Sequence, residues 1–361
     1  MCRFARRTLF GGACAVSAAL AAPALAAAAT DVSVSSSGKT LEVVAKNNAT
    51  NNVVVSATPT HLVVTDSGAG VDTSDPLCAK ASPIVSCPIG QITTIEIKLG
   101  NRNDAAGISA TPGSAVPASI NASIDGGTGN DALFGGLAAD KLRGSANSDF
   151  LVGGDGADDL GGGSGNDNLQ GGPGPDSLAG DQNNDLLDGG AGGDLMRGGS
   201  GSDTVTYATR STGVSATIGG PAHQSGNAED GAPAAGDTID KDVENLIGGA
   251  GGDLLVGDGD ANVLSGGDGA DFLLGGAGSD RLVGRGGDDF IAGDVGDDIL
   301  KGGSGSDVFK GGDGNDLLRA RDGTADQKLR CGPGFDRVRR DKQLDPRPKG
   351  CELPARRRHR R

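Results

Sequence analysis

Between Gly126 and Arg319 an apolar side chain returns at every ninth position, in two runs. The first run is Leu133, Leu142, Leu151, Leu160, Leu169, Leu178, Leu187, Met196 and Val205. The second is Leu255, Leu264, Leu273, Leu282, Ile291, Leu300, Phe309 and Leu318. Each apolar position stands between two residues that face the other way, as in Ala132-Leu133-Phe134, and glycine-rich polar sequence fills the rest of the period. Side chains alternate across a strand, so the pattern predicts three-residue strands, each sending one side chain inward and joined to the next by a six-residue turn. Ahead of the first run, LEVVA, NVVVSA, HLVVTD and TTIEIKLG read as ordinary strands with turn-like separators.

The same frame holds an acidic column. Two residues before each apolar position stands Asp131, Asp140, Asp149, Asp158, Asp167, Asp176, Asp185, Asp194 or Asp203 in the first run. In the second it is Asp253, Asp271, Asp280, Asp289, Asp298, Asp307 or Asp316, with Asn262 the exception. Aspartate thus fills 16 of 17 units, and the units cover 153 of 361 residues. A flexible glycine linker has no reason to keep either column in phase. Glycine numbers 66, yet it does not recur at every third residue, which excludes a collagen-like chain. Aromatic residues make up 2%, with no Trp and a single Tyr, so a layered globular core is not expected.

These units, such as GGSGNDNLQ and GGDGADFLL, resemble the RTX or haemolysin-type calcium-binding repeat, G-G-x-G-x-D-x-U-x with U apolar. The resemblance implies an all-β fold, a right-handed parallel β-roll or β-solenoid in which two units complete one coil. It also implies calcium as the ligand, several ions, with the sixteen aspartates as metal ligands. Units two apart are expected to cooperate, Asp131 with Asp149 and Asp140 with Asp158. Calcium takes six to eight oxygens, and turn carbonyls together with carboxylates supply them. Asp155, Asp268 and Asp313, at position three, are further candidates. Glycine at the first, second and fourth positions is expected to provide φ > 0 in the turn. Stacked carboxylates repel one another, so the roll is expected to fold only with calcium, and binding free energy becomes folding free energy.

Several units depart from the pattern. Ala138 replaces a fourth-position glycine, Asn147 and Asn183 fill that position more tolerably, and Ser145 and Arg285 replace second-position glycines. The unit at 257–265 has Asp258, Asp260 and Asn262. Fewer ions than turns are therefore expected.

The flanks divide the chain further. Residues 1–26 have the layout of a secretory signal peptide: Arg3, Arg6 and Arg7, an apolar run, then Ala24-Leu25-Ala26. Residues 27–125 are read as a β-rich N-terminal cap or a small β domain. Repeat block one spans 126–206 and block two 248–319. The interval 207–247 is read as one enlarged coil, since Leu246 precedes Leu255 by nine. Residues 320–361 are read as a C-terminal cap with a basic tail. Four cysteines outside the signal fall into two close pairs, Cys78/Cys87 and Cys331/Cys351, which favours two local disulfides in an exported chain. Only three histidines occur, none spaced with the cysteines, which disfavours zinc.

Formal charge is −15, but residues 27–318 carry −27 and residues 319–361 carry +9. The final RRRHRR is read either as a solvated end or as a contact for anionic cell-envelope polymers. No nucleic-acid partner and no transmembrane segment are expected. Neither H-E-x-x-H nor G-x-S-x-G occurs. The expected function is calcium binding by a secreted or extracellular, non-enzymatic protein that folds after export. The alternatives are a calcium-stiffened adhesin or envelope-associated protein held by its Arg tail, and an enzyme with activity in 27–125.

Overall fold

A computed structural model describes residues 32–45, 50–67, 71–81, 84–221, 225–226, 236–341 and 343–351. The signal peptide expected at 1–26, the Arg-rich end from 352, and residues 222–224 and 227–235 of the 207–247 interval lie outside these described residues. Among the described residues there is no helix, and hence none long and apolar enough to cross a membrane.

The chain winds as a parallel β-solenoid in which each strand pairs with the one 18 residues on. Leu133 registers with Leu151 and Leu151 with Leu169, while Leu142 registers with Leu160 and Leu160 with Leu178. Successive units thus alternate between two facing sheets, and two nonapeptides make one coil. The column leucines Leu133, Leu142, Leu151, Leu160, Leu169 and Leu178 are fully buried, forming a core one side chain thick. Strands are longer than the three residues expected. Lys141–Ala146 and Ser177–Gln182 each run six residues, because the start of the following turn also stays in register, as Ser145 does with Gly127 and Gly163.

One 16-stranded sheet runs the length of the molecule, from Ala79–Ala81 to Arg337–Arg340. Facing it are a 10-stranded sheet that ends at Thr238–Ile239 and a six-stranded sheet that begins at Ser215–Thr217. The 207–247 interval therefore contributes the closing strand of one sheet and the opening strand of the other. Leu246 registers between Val205 and Leu264, so the long sheet passes through unbroken.

Both sheets of block one extend into the N-terminal segment. Thr94–Lys98 pairs in parallel with Asn121–Thr128 and with Thr40–Ala45. Ala105–Ile108 pairs in parallel with Ala132–Gly136 and with Asn52–Ala57. Beyond these the strands turn antiparallel, in Val32–Ser37 with Thr40–Ala45 and in Asn52–Ala57, His61–Asp66 and Ile84–Pro88. The antiparallel hairpins cover the end of the stack. Cys78–Cys87 joins residues within this cap, and Cys331–Cys351 staples the last coils.

Candidate metal centre

Glycine at the three turn positions acts in two different ways. Most second- and fourth-position residues take positive φ, as in Gly154 (107°), Gly156 (143°), Gly163 (109°) and Gly165 (136°), but Gly136, Gly249, Gly251, Asp258 and Asp260 do not. Asn147, Asn183, Ser145 and Arg285 adopt positive φ in the same places, while Ala138 does not and so bends its turn differently. First-position glycines have no positive φ, contrary to the expectation from sequence. Their requirement is space. A Cβ at Gly144 would stand 2.7 Å from the Gly162 carbonyl oxygen and closer still to Asp149 Oδ2.

That space is where the column aspartates turn in. Each backbone N–H donates to the Oδ1 of the aspartate one coil further on. Asp131 donates to Asp149, Asp149 to Asp167, Asp140 to Asp158 and Asp158 to Asp176, at 2.7–2.8 Å. In block two Asp271 donates to Asp289 and Asp280 to Asp298, both at 2.9 Å. Each pair 18 residues apart is thereby brought together, and the aspartates are at most 3% exposed. The second oxygen, Oδ2, is buried without a hydrogen-bond donor at Asp131, Asp140, Asp149, Asp158, Asp167, Asp176, Asp185 and Asp203. The same is true of Asp271, Asp280, Asp289, Asp298, Asp307 and Asp316. Asp155, Asp268 and Asp313 are exposed and stand outside these rows.

Burial pushes the carboxyls up, against the opposing effect of the backbone N–H and with help from neighbouring carboxylates. Asp140, Asp149, Asp176, Asp185 and Asp289 rise from 3.8 to about 7. Asp158, Asp167, Asp271, Asp280, Asp298, Asp307 and Asp316 rise to about 6. A buried carboxylate oxygen with no donor is costly unless a proton or a cation compensates it.

The arrangement fits a hard cation. Among the described residues no three His, Cys, Asp or Glu side chains gather at one point. The donors are instead a carboxylate on each coil and turn carbonyls, as at Gly135, whose added Cβ would meet both Gly153 O and Asp140 Oδ2. An all-oxygen set of this kind suits calcium rather than a softer metal.

Three aspartates outside the nine-residue frame share these features. Asp104 donates its N–H to Asp131 Oδ1 at 2.7 Å, Asp326 accepts from Asp307 at 3.1 Å, and Asp336 accepts from Asp316 at 2.9 Å. All three are buried with an Oδ2 that has no donor. In sequence, Asn101-Arg102-Asn103-Asp104 and Gly332-Pro333-Gly334-Phe335-Asp336 echo the repeat turn. Asp326 was hidden because the coil lengthens from 18 to 19 and 20 residues there. Asp253 differs from the rest of its column, since its Oδ2 accepts the Gly249 N–H at 2.6 Å.

A search of curated proteins finds no match to the chain. The model of the RTX calcium-binding nonapeptide repeat matches residues 123–142, 134–169, 161–196, 170–205, 247–282, 265–300 and 283–318. These intervals coincide with the paired coils and their aspartate rows. Residues 123–205 and 247–318 therefore carry the repeats of the RTX calcium-binding nonapeptide family.

Proposed function

We propose that this is a secreted, non-enzymatic calcium-binding protein whose solenoid folds on calcium after export. The observation that carries the reading is the row of buried Oδ2 atoms without donors that repeats through both blocks, turned into space also bordered by turn carbonyls such as Gly153 O and Gly171 O. The sixteen column aspartates, Asp253 apart, hold the ions together with those carbonyls. A bound ion neutralises adjacent carboxylates that otherwise repel across 18 residues. Because these aspartates face one another inside the stack rather than line a cleft, they serve folding rather than acid–base chemistry. Weak sites of this kind fill at extracellular calcium levels. The two disulfides agree with an oxidising compartment. Circular dichroism of the purified chain with calcium and with EDTA tests the reading. Loss of the β signal on chelation is expected, and an unchanged signal rejects it.

A second reading rests on charge at the C-terminal end. Lys301, Arg319 and Arg339 register across three neighbouring strands of the long sheet, and Lys310 registers with Arg330 on the opposite side. This basic end continues into the Arg tail, and it suits attachment to anionic envelope polymers. Deleting residues 355–361 and measuring cell-envelope association checks it. Unchanged association removes the anchor.

A further inference from the structure

The rows of unpartnered oxygens are interrupted at one place. Four successive rungs, Asp237, Glu244, Asp253 and Asn262, stand where the two facing sheets exchange partners. At Asp237, Asp253 and Asn262 the chain itself supplies what a cation supplies elsewhere. Asp237 is fully buried, and both of its oxygens accept hydrogen bonds, Oδ1 from the Asp194 N–H at 2.9 Å and Oδ2 from the Tyr207 hydroxyl at 2.8 Å. Glu244 replaces aspartate and reaches the Asp203 N–H at 2.6 Å with its longer side chain. Asp253 accepts from Val214 N–H on Oδ1 at 2.8 Å and from Gly249 N–H on Oδ2 at 2.6 Å. Asn262 carries no charge, accepts from Asp258 N–H at 2.9 Å, and donates to the Glu244 carbonyl at 3.1 Å.

The same joint holds a buried fixed cation. Arg210, 7% exposed, donates to the Gly190 turn carbonyl and pairs with Asp188 at 3.5 Å. Its own carbonyl accepts the Ala250 N–H at 3.0 Å, tying it to the first turn of block two. A guanidinium thus stands at the joint with a turn carbonyl and a carboxylate as its partners. A carboxylate whose oxygens all have donors gains little from a metal, and a fixed positive charge nearby repels one.

We propose that the described residues between Tyr207 and Asn262 form a cation-free joint, with Tyr207, Arg210 and the Gly249 N–H in the place of ions, so that the calcium array consists of two separately loading blocks. The first block runs from Asp131 to Asp203 and the second from Asp271 to Asp316. This rests on the calcium reading above and assigns what it leaves open, namely where ions do not bind. The long sheet joins the halves mechanically, while no continuous line of ions joins them. A chain built this way passes through a half-loaded state.

Calcium counting and hydrogen exchange on the full chain test this. Bound calcium at saturation is measured by dialysis and atomic emission for the wild type, Asp237→Asn and Asp158→Asn. Asp237→Asn is expected to bind as many ions as the wild type, and Asp158→Asn fewer. Should Asp237→Asn fail to fold, Tyr207→Phe takes its place: a count equal to the wild type or one higher supports the joint, and a lower count overturns it. Exchange followed through a calcium titration gives a midpoint for each block. Asp158→Asn is expected to raise the midpoint of the first block at least threefold and leave the second within twofold. Equal shifts in both blocks, or an ion lost in Asp237→Asn, overturn the proposal. A wild type that binds no calcium instead rejects the underlying reading, so the two failures are distinguishable.

Discussion

Asp131 donates its backbone N–H to Oδ1 of Asp149 at 2.7 Å, across 18 residues. The bond ties the backbone of one coil to the side chain of the next, and it repeats along both edges of the solenoid. It uses one carboxylate oxygen and leaves the other, Oδ2, facing the turn interior without a donor. Coil stacking and ion binding therefore depend on the same side chain.

Replacing the charge while keeping the shape separates these two roles. In Asp176→Asn the amide oxygen can still accept the Asp158 N–H. Without calcium the variant is expected to be more stable than the wild type, by about 1–2 kcal/mol, because a buried charge is gone. With calcium it is expected to be less stable. Because the chelated wild type is expected to lose its β signal, the β signal recovered in EDTA on adding a stabilising osmolyte, alongside thermal melts in calcium, checks the reversal of sign.

The raised carboxyl pKa values give a pH dependence. Folded values near 6 and 7 exceed the ordinary 3.8, so the metal-free folded state binds more protons than the unfolded one between these limits. Stability of the metal-free fold is thus fullest below pH 4 and falls as pH rises towards 7. Acidifying the chelated chain from pH 7.5 to 4.5 is expected to restore β signal in circular dichroism. Calcium takes the place of those protons, so binding at pH 4.5 to 5, where the metal-free fold is present and protonated, is expected to release protons into a weak buffer.

The first-position glycines give a steric test. Gly153→Ala puts a methyl against Asp158 Oδ2 and the Gly171 carbonyl. It is expected to cost about 2–4 kcal/mol and to weaken calcium binding. Gly259 has open space around its would-be Cβ and no positive φ, so Gly259→Ala is expected to stay within about 0.5 kcal/mol of the wild type. Denaturant melts in calcium compare the two.

The C-terminal staple is testable on its own. Cys331 holds the first-position place of a further coil, and its N–H donates to the Lys349 carbonyl at 3.0 Å. Losing the Cys331–Cys351 bond in Cys351→Ser is expected to cost about 2–4 kcal/mol. Faster hydrogen exchange should appear first at Arg337–Arg340, the terminal strand of the long sheet.

The nine-residue columns by themselves determined the short strands and the inward place of Leu133 to Leu318, because alternation along a strand sends the middle side chain of each triplet one way; the solenoid and its two-unit coil came from the resemblance of those columns to the RTX repeat. They also named the sixteen aspartates. Tertiary structure decided what each oxygen does. Whether Oδ2 of Asp253 is bare or bonded depends on the Gly249 N–H, and whether that of Asp237 is bare depends on Tyr207, thirty residues away. Tyr207 comes from an insertion that a repeat frame does not contain, while Gly249 lies in Asp253's own unit, in a turn where it lacks the positive φ of most second-position glycines. The first-position glycine shows the same limit: composition marks it as a turn residue, and only the folded coil shows that the constraint is space for a carboxylate. Register carried the fold in one dimension, while the chemistry of each rung depended on which donors the folded turns brought to its second oxygen.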